Sequence, residues 1–223
     1  LPGKTLTVDG EGYQPYGGFQ CEGKPLETLQ ETGLQWLAKV AVLCNNAELK
    51  EHKGEWSIAG DPMEAALLVL GRKAGLIAAE LTATYHKADT IPFDSRHKYM
   101  ATLHHDSQQA YMLVKGAPER LLELCCGEWA EDQSAAAIDK AYWQQQIENI
   151  AAEGQRVLAF ALKPLDIKAS KLTEQEMSSG LLLVGLTGLI DPPRSEVIAA
   201  IRACHTAGIG VKMITGDHGT TAL

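Results

Sequence analysis

The feature that most constrains this chain is an ordered series of short strings. Lys115-Gly116-Ala117-Pro118-Glu119 lies downstream of Ile91-Pro92-Phe93-Asp94-Ser95-Arg96-His97-Lys98 and upstream of Arg156. Asp191-Pro192-Pro193-Arg194 and Thr215-Gly216-Asp217-His218 follow. Each string is short enough to occur by chance. All of them in this order, at these separations, are not a plausible accident, so we interpret them together.

Together these strings resemble the large cytoplasmic loop of P-type cation-transporting ATPases, in the type II-like branch. The Asp-Lys-Thr-Gly-Thr phosphorylation motif of that family does not occur in the sequence. The resemblance therefore implies the part of a pump that holds ATP, without the aspartate that receives the phosphate. It also implies a place on the cytoplasmic face of a membrane, with the remaining phosphorylation, actuator and transmembrane domains as partners.

Composition excludes some classes of function. The 223 residues include 20 basic and 28 acidic ones, for a net charge of −8, which argues against a nucleic-acid partner because such surfaces need concentrated positive charge. The five cysteines form no Cys-x-x-Cys pair, which is typical of a reducing compartment. The longest apolar run, 181–190, is about half the length that a membrane span needs.

Hydrophobic periodicity predicts an α/β fold: an α+β nucleotide-binding domain over 1–164, with a mainly antiparallel sheet flanked by helices. Leu26–Asn46 has helical spacing, and a second helix should begin at Asp61-Pro62-Met63-Glu64, where Asp61 suits the N-cap. Strands 98–104 and 110–115 should form a hairpin. Further elements are expected at 118–126 (helix), 134–152 (helix) and 157–162 (strand).

Residues 165–223 predict a linker (165–180) and an incomplete second unit. The strands 181–190 and 209–214 flank an amphipathic helix at 195–207, which is typical of a parallel β-α-β unit. The resemblance implies a fragment of the phosphorylation domain, with a Rossmann-like fold related to the haloacid dehalogenases. Strand edges left open by the missing sheet predict partial disorder of 165–223 or pairing with another copy.

Four residues are the first candidates for holding a nucleotide. Phe93 follows Pro92 at a strand end, where an aromatic ring can stand free to stack on a base. Lys98 and Lys115 are expected on paired strands, so both could reach one pocket. Gly116 removes a side chain that would block a ligand. The resemblance implies that Phe93 stacks on adenine, that Lys115 lies deep in the pocket and that Lys98 faces the phosphates.

Two more candidates have competing interpretations. Glu64 resembles the acid of the family's Gly-Asp-x-x-Glu helix start, near the adenine, but its spacing from Asp61 also fits a capping box. Arg156 is either a surface arginine or a cation that grips phosphate with two parallel hydrogen bonds.

The resemblance places five more residues near the ribose and phosphates, on the phosphorylation domain: Asp191, Arg194, Thr215, Gly216 and Asp217. It implies ATP or ADP as ligand, with Mg²⁺ carried by the nucleotide, and no catalytic residue within the chain. Asp-Pro-Pro-Arg and Lys-Gly-Ala-Pro-Glu favour pumps of light cations, with calcium as the first choice.

Two other classes of function remain as alternatives. A phosphatase of the haloacid-dehalogenase type would need an Asp-x-Asp nucleophile strand, which the sequence lacks. A stand-alone nucleotide-sensing or partner-binding module without catalysis would bind nucleotide and be fully functional without further domains.

Overall fold

The structure is a computed structural model that describes residues 1–190 and 195–212. In these ranges the strands are β1 (Leu6–Val8), β2 (Phe19–Cys21), β3 (Lys24–Pro25), β4 (Glu48–His52), β5 (Glu55–Ala59), β6 (His86–Asp94), β7 (Tyr99–His105), β8 (Ala110–Gly116), β9 (Cys125–Trp129), β10 (Ala135–Ala136), β11 (Arg156–Leu165) and β12 (Leu181–Leu189). The α-helices are α1 (Thr32–Leu43), α2 (Pro62–Lys73), α3 (Ala78–Thr84), α4 (Pro118–Leu124), α5 (Lys140–Ala152), α6 (Glu174–Met177) and α7 (Ser195–Thr206).

The described residues form one seven-stranded sheet in the order β10-β9-β12-β11-β8-β7-β6. Neighbouring strands are antiparallel, except that β9 and β12 are parallel. Two small sheets accompany it, β1-β2-β3 and the hairpin β4-β5. This mainly antiparallel sheet flanked by helices confirms the predicted α/β class.

Helices cover both faces of the central sheet. On one face Leu113 and Phe160 lie in a core with Leu37 of α1. On the other face Val114 lies in a core with Trp143 of α5. Successive side chains of a strand point to opposite faces of the sheet. A strand in the middle of a sheet with helices on both faces therefore buries the side chains on both of its faces. This explains why β8 and β12 are continuous apolar runs rather than alternating ones.

Strand β12 has different neighbours from those that the sequence predicts. The prediction placed 181–190 in a parallel unit of a second domain, but Leu181–Leu189 lies inside the first sheet. It pairs antiparallel with β11 and parallel with β9. A strand that is apolar on both faces fits the middle of either sheet, so its composition could not identify its neighbours. The division at 164/165 stays a prediction, and this pairing argues against a boundary before β12.

The segment 165–180, predicted as a linker, packs on the sheet. The backbone N–H of Leu172 donates to Asp89 Oδ2 of the edge strand β6 at 2.8 Å. Met177 of α6 is only 3% exposed and belongs to the core on the α5 side. These contacts fasten the segment to the first sheet, in contrast to a free connection.

Helix bounds also differ from the predictions. The predicted helix 26–46 is a short 3₁₀ helix at Thr28–Gln30 followed by α1. The predicted helix 134–152 begins only at Lys140, because Asp139 is the N-cap and accepts a hydrogen bond from the N–H of Tyr142. The predicted helix 118–126 ends at Leu124, and Cys125 opens β9.

Part of the predicted second unit lies outside the described residues. This holds for five candidate site residues: Asp191, Arg194, Thr215, Gly216 and Asp217. Helix α7 agrees with the predicted helix 195–207. Residues 209–212 form no strand, and the rest of the predicted strand 209–214 is outside the described part. Among the helices that the structure describes, none is both long and apolar enough to cross a bilayer.

Candidate functional site

One end of the central sheet brings together candidates from four adjacent strands. Phe93 lies near the end of β6, Lys115 and Gly116 end β8, and Arg156 begins β11, while Lys98 directly precedes β7. Because these neighbours are antiparallel, β6 and β8 end, and β7 and β11 begin, at the same end of the sheet. We call this end of the sheet the rim.

Phe93 presents an accessible ring at the rim. Its side chain is among the exposed large hydrophobic ones, with 62% of the residue accessible. The pairing of β6 with β7 shifts register between Ile91 and Asp94, so Phe93 lies in an irregular stretch of the strand. Such irregularities redirect side chains at sheet edges. The ring therefore has the accessibility that stacking on a base requires.

Lys115 is a buried lysine with one carboxylate partner. It is 8% exposed, and its Nζ donates to Glu64 Oε1 at 2.5 Å. Glu64 is in the first turn of α2, and its side chain is 18% exposed. A charge this deeply buried needs a paired and hydrogen-bonded partner. Residues that lie 51 positions apart thus form one unit at the rim.

The structure excludes a reciprocal capping box at Glu64, and its role beside a base stays a prediction. Asp61 caps α2 as predicted, since its Oδ1 accepts from the N–H groups of Met63 at 2.9 Å and Glu64 at 3.1 Å. In a capping box the Glu64 carboxylate would reach back to the N–H of Asp61. Instead Oε1 accepts from Lys115 and Oε2 accepts from the backbone N–H of Asn46 at 3.0 Å. Glu64 faces the rim rather than its own helix start.

Asn45 and Asn46 are parts of this site that sequence reasoning missed. They follow the C-cap of α1, and Asn45 is one of the few buried polar residues. A pair of asparagines directly after an apolar helix was the available signal, because asparagine amides often satisfy the free backbone groups of helix ends.

Lys98 and Gly116 have contacts within the protein that the sequence did not predict. Lys98 is in the turn before β7 with φ of 57°, and its Nζ lies 3.4 Å from Glu119 Oε1. A Cβ on Gly116 would lie 2.5 Å from the carbonyl oxygen of Lys98 and 2.8 Å from Cα of Tyr99. The close approach of the chain itself is therefore sufficient to require a glycine at this position.

Arg156 offers an exposed guanidinium at the other side of the rim. Its backbone pairs with Leu189, so β12 also ends at the rim. Within the described part of the chain, its side chain makes no hydrogen bond or ion pair. Its charge is thus available to an anionic ligand, unlike that of Lys115.

The thiol of Cys44 lies close to Lys115 and stays protonated. Burial raises its pKa, and the nearby Lys115 charge opposes this effect only in part. Its Sγ lies 3.5 Å from the carbonyl oxygen of Met100. The negative partner of Lys115 is therefore Glu64 rather than a thiolate.

Two cavities border residues near the rim: Asn45 lines the first, and Tyr99, the first residue of β7, lines the second. A cleft of about 460 Å³ separates the hairpin β4-β5 from α2 and α3, and Trp56, Arg72 and His104 are among its walls. A hollow of about 300 Å³ on the opposite sheet face is bordered by His97, Tyr99 and Arg120. Neither contains Phe93 or Lys115. We assign the site to the rim because an exposed aromatic ring, a buried ion pair and exposed cationic side chains lie there together.

Comparison with known proteins identifies the family of the chain. Residues 33–196 match the family model described as the cytoplasmic domain N of P-type ATPases. The chain therefore belongs to the family of P-type cation-transporting ATPases, which are hydrolases.

Three relatives are similar to this chain along almost its whole length. The chain is 41% identical over 225 residues to the cation-transporting ATPase pma1 of Synechocystis sp., which covers 99% of this chain and 25% of the relative. It is 37% identical over 223 residues to the probable cation-transporting ATPase F of Mycobacterium tuberculosis, with 99% and 24% covered. It is 35% identical over 224 residues to a calcium-transporting ATPase of Bacillus subtilis, again with 99% and 25% covered. The chain spans about a quarter of the length of these relatives.

Proposed function

We propose that this chain binds ATP as the cytoplasmic nucleotide-binding domain of a P-type ATPase that couples ATP hydrolysis to cation transport across a membrane. The observation that carries the proposal is the rim, where the exposed Phe93 ring lies two strands from the buried pair of Lys115 and Glu64. Adjacent strands are about 5 Å apart, so the ring and the ion pair lie within the length of one nucleotide.

Each rim residue has a distinct part in the proposal. Phe93 stacks on the adenine, an interaction worth about 1–3 kcal/mol per base. Glu64 and Lys115 contact the adenine end of the nucleotide, at the bottom of the site next to the sheet. Lys98 and Arg156 stand in solvent and bind phosphate oxygens, for which an arginine fork is well shaped.

The remaining parts of the proposal rest on the family resemblance. Five residues are proposed to face the ribose and phosphates: Asp191, Arg194, Thr215, Gly216 and Asp217. Mg²⁺ is proposed to enter with the nucleotide, as the family resemblance implies. Phosphoryl transfer depends mainly on positioning and charge neutralisation. This chain would supply positioning, and the phosphate would pass to an aspartate in another part of the pump.

The proposal also places the chain among partners. It would work on the cytoplasmic face of a membrane, beside phosphorylation, actuator and transmembrane domains. A light cation such as calcium is the proposed cargo of the whole pump. Alone, the chain is proposed to bind nucleotide without turnover. Self-association through open strand edges in 165–223 is not proposed again, because β12 pairs with β9 on one side and β11 on the other.

A titration of the folded chain with ATP, ADP and AMP, followed by amide NMR, tests the proposal. We expect saturable binding, with shifts centred on Phe93, Lys115 and Gly116. Phe93→Ala and Lys115→Ala should abolish it. Tyr16→Ala is the matched control for the ring, because Tyr16 is similarly exposed (65%) on another part of the surface. Lys39→Ala is the control for a partly buried lysine that packs on aromatic rings.

Different outcomes separate the parts of the proposal. Arg156→Ala should reduce the preference for ATP over AMP while leaving AMP affinity nearly unchanged, since AMP lacks the outer phosphates. Absence of binding at millimolar ATP by a well-folded chain would contradict the proposed site. Equal losses in the Tyr16 and Phe93 variants would contradict the stacking role.

A further inference from the structure

The side chain of Asn45 connects two helices at the rim. Asn45 is 7% exposed, and its Nδ2 donates to the carbonyl of Ala41 at 3.0 Å and to that of Glu64 at 2.8 Å. Its Oδ1 accepts from the N–H of Ala47 at 2.8 Å. One amide thus binds the last turn of α1, the first turn of α2 and the chain between them.

This arrangement determines where the carboxylate of Glu64 can lie. Asn45 holds the backbone of Glu64, and the next residue, Asn46, donates its N–H to Glu64 Oε2. The other oxygen, Oε1, is left for Lys115. Both the main chain and the side chain of Glu64 are therefore held by the segment 45–46.

We propose that Asn45 is a positioning residue of the nucleotide site, which acts through Glu64 and does not touch the ligand. The inference rests on the proposed function for its link to nucleotides. It adds that the ability to select adenine depends on the Asn45 amide. Without that amide, the first turn of α2 is free to shift, and Glu64 loses its fixed distance from Lys115 and from the base.

The same two helices supply a matched control. Gln35 of α1 donates its Nε2 to the carbonyl of Thr28 at 3.0 Å and to that of Ala74, the C-cap of α2, at 2.9 Å. Its amide thus connects α1 and α2 at their other ends, away from Glu64. Gln35→Ala removes a comparable connection between the same helices without touching the rim.

The first readout is base selectivity, measured as the ratio of the Kd values for GTP and ATP. We expect Asn45→Ala to lower this ratio about three- to tenfold, toward the ratio of Glu64→Ala, and Gln35→Ala to leave it unchanged. In the Glu64→Ala background, Asn45→Ala should have no further effect on the ratio, because residues that act through one another are not additive. Asn45→Asp, which keeps the shape and the Ala47 contact, serves if the alanine variant does not fold.

The second readout needs no nucleotide. An amine-acylating reagent, followed by peptide mass spectrometry, reports how firmly Lys115 is held by Glu64. We expect Lys115 labelling to rise about three- to tenfold in Asn45→Ala, relative to Lys39 in the same sample, and to stay constant in Gln35→Ala.

The outcomes distinguish the inference from the function beneath it. If the wild-type chain binds no nucleotide, the proposed function is contradicted. If Asn45→Ala nevertheless raises the labelling of Lys115 and Gln35→Ala does not, the role of Asn45 in positioning Glu64 is supported. Unchanged labelling and selectivity in the folded Asn45 variants overturn the inference. Equal changes in the Gln35 variant overturn it as well, because they would show a general loosening of the helix pair.

Discussion

Gly116→Ala is the perturbation that best tests the account of the rim. The added Cβ would lie 2.5 Å from the carbonyl oxygen of Lys98 and 2.8 Å from Cα of Tyr99, both of them backbone atoms. Neither can rotate away as a flexible side chain would. The turn before β7 must therefore move as a whole, together with the hydrogen bond from the N–H of Ala117 to the carbonyl of Lys98 at 2.9 Å.

The expected cost follows from these two effects. Overpacking a tight site costs about 1–3 kcal/mol. Losing the hydrogen bond adds about 1 kcal/mol. We therefore expect Gly116→Ala to lower the free energy of unfolding by about 2–4 kcal/mol, without any nucleotide present.

Urea denaturation followed by tryptophan fluorescence measures this free energy, with an unchanged m-value as the sign that the denatured state is comparable. Gly18→Ala is the control, because a Cβ there would meet no atom within 4 Å. A change below about 0.5 kcal/mol in Gly116→Ala, the range of ordinary surface substitutions, would refute the reasoning. If such a variant still lost ATP binding, the glycine would serve to make room for the ligand, as the sequence alone suggested.

Three further predictions concern other parts of the fold. Burial lowers the pKa of His104 to about 4, so its contribution to the free energy of unfolding should be full above about pH 6.5 and fall by about 2–3 kcal/mol toward pH 4. Urea unfolding at both pH values should show a smaller loss in His104→Gln. Native-state alkylation, read by mass spectrometry, should label the exposed Cys126 before the buried Cys125, whose pKa burial raises to about 12; faster labelling of Cys125 would contradict the described strand β9. Asp61→Ala should lower the free energy of unfolding by about 1 kcal/mol, because the N-cap of α2 is lost, and an unchanged urea midpoint would count against the cap.

Residues with a local chemical signature were predicted well from the sequence. Asp61 and Pro62 marked the start of α2 because the cap and the fixed proline φ act within one turn. The hairpin β7-β8 was recognised because a polar turn separates two apolar runs. The hairpin β4-β5 was missed, since its turn is Lys53-Gly54, with φ of 54° and 85°, rather than the usual Asn-Gly or Asp-Gly.

Features that depend on distant parts of the chain were not predictable. The motifs identified Lys115 and Glu64 one by one, but nothing local showed that they pair. Strand β12 was recognised as a buried strand, whereas its neighbours β9 and β11 were not, because pairing is decided by the whole sheet. Lys98 was placed on a strand, whereas it lies in the turn before β7 with φ of 57°.

If the proposed function holds, the electrostatics of the rim separate two tasks, holding the base and holding the phosphates. The charge of Lys115 is balanced by Glu64 and shielded from water, so this pair offers geometry to the base and little net attraction to phosphate. The side chains of Lys98 and Arg156 remain in solvent, where their attraction to phosphates is weakened by salt. On a chain of net charge −8, such an arrangement would hold the base firmly and the phosphates loosely. A domain that presents the terminal phosphate of its bound nucleotide to another domain needs firm binding of the base and loose binding of the phosphates, because a tightly bound phosphate would not be transferred.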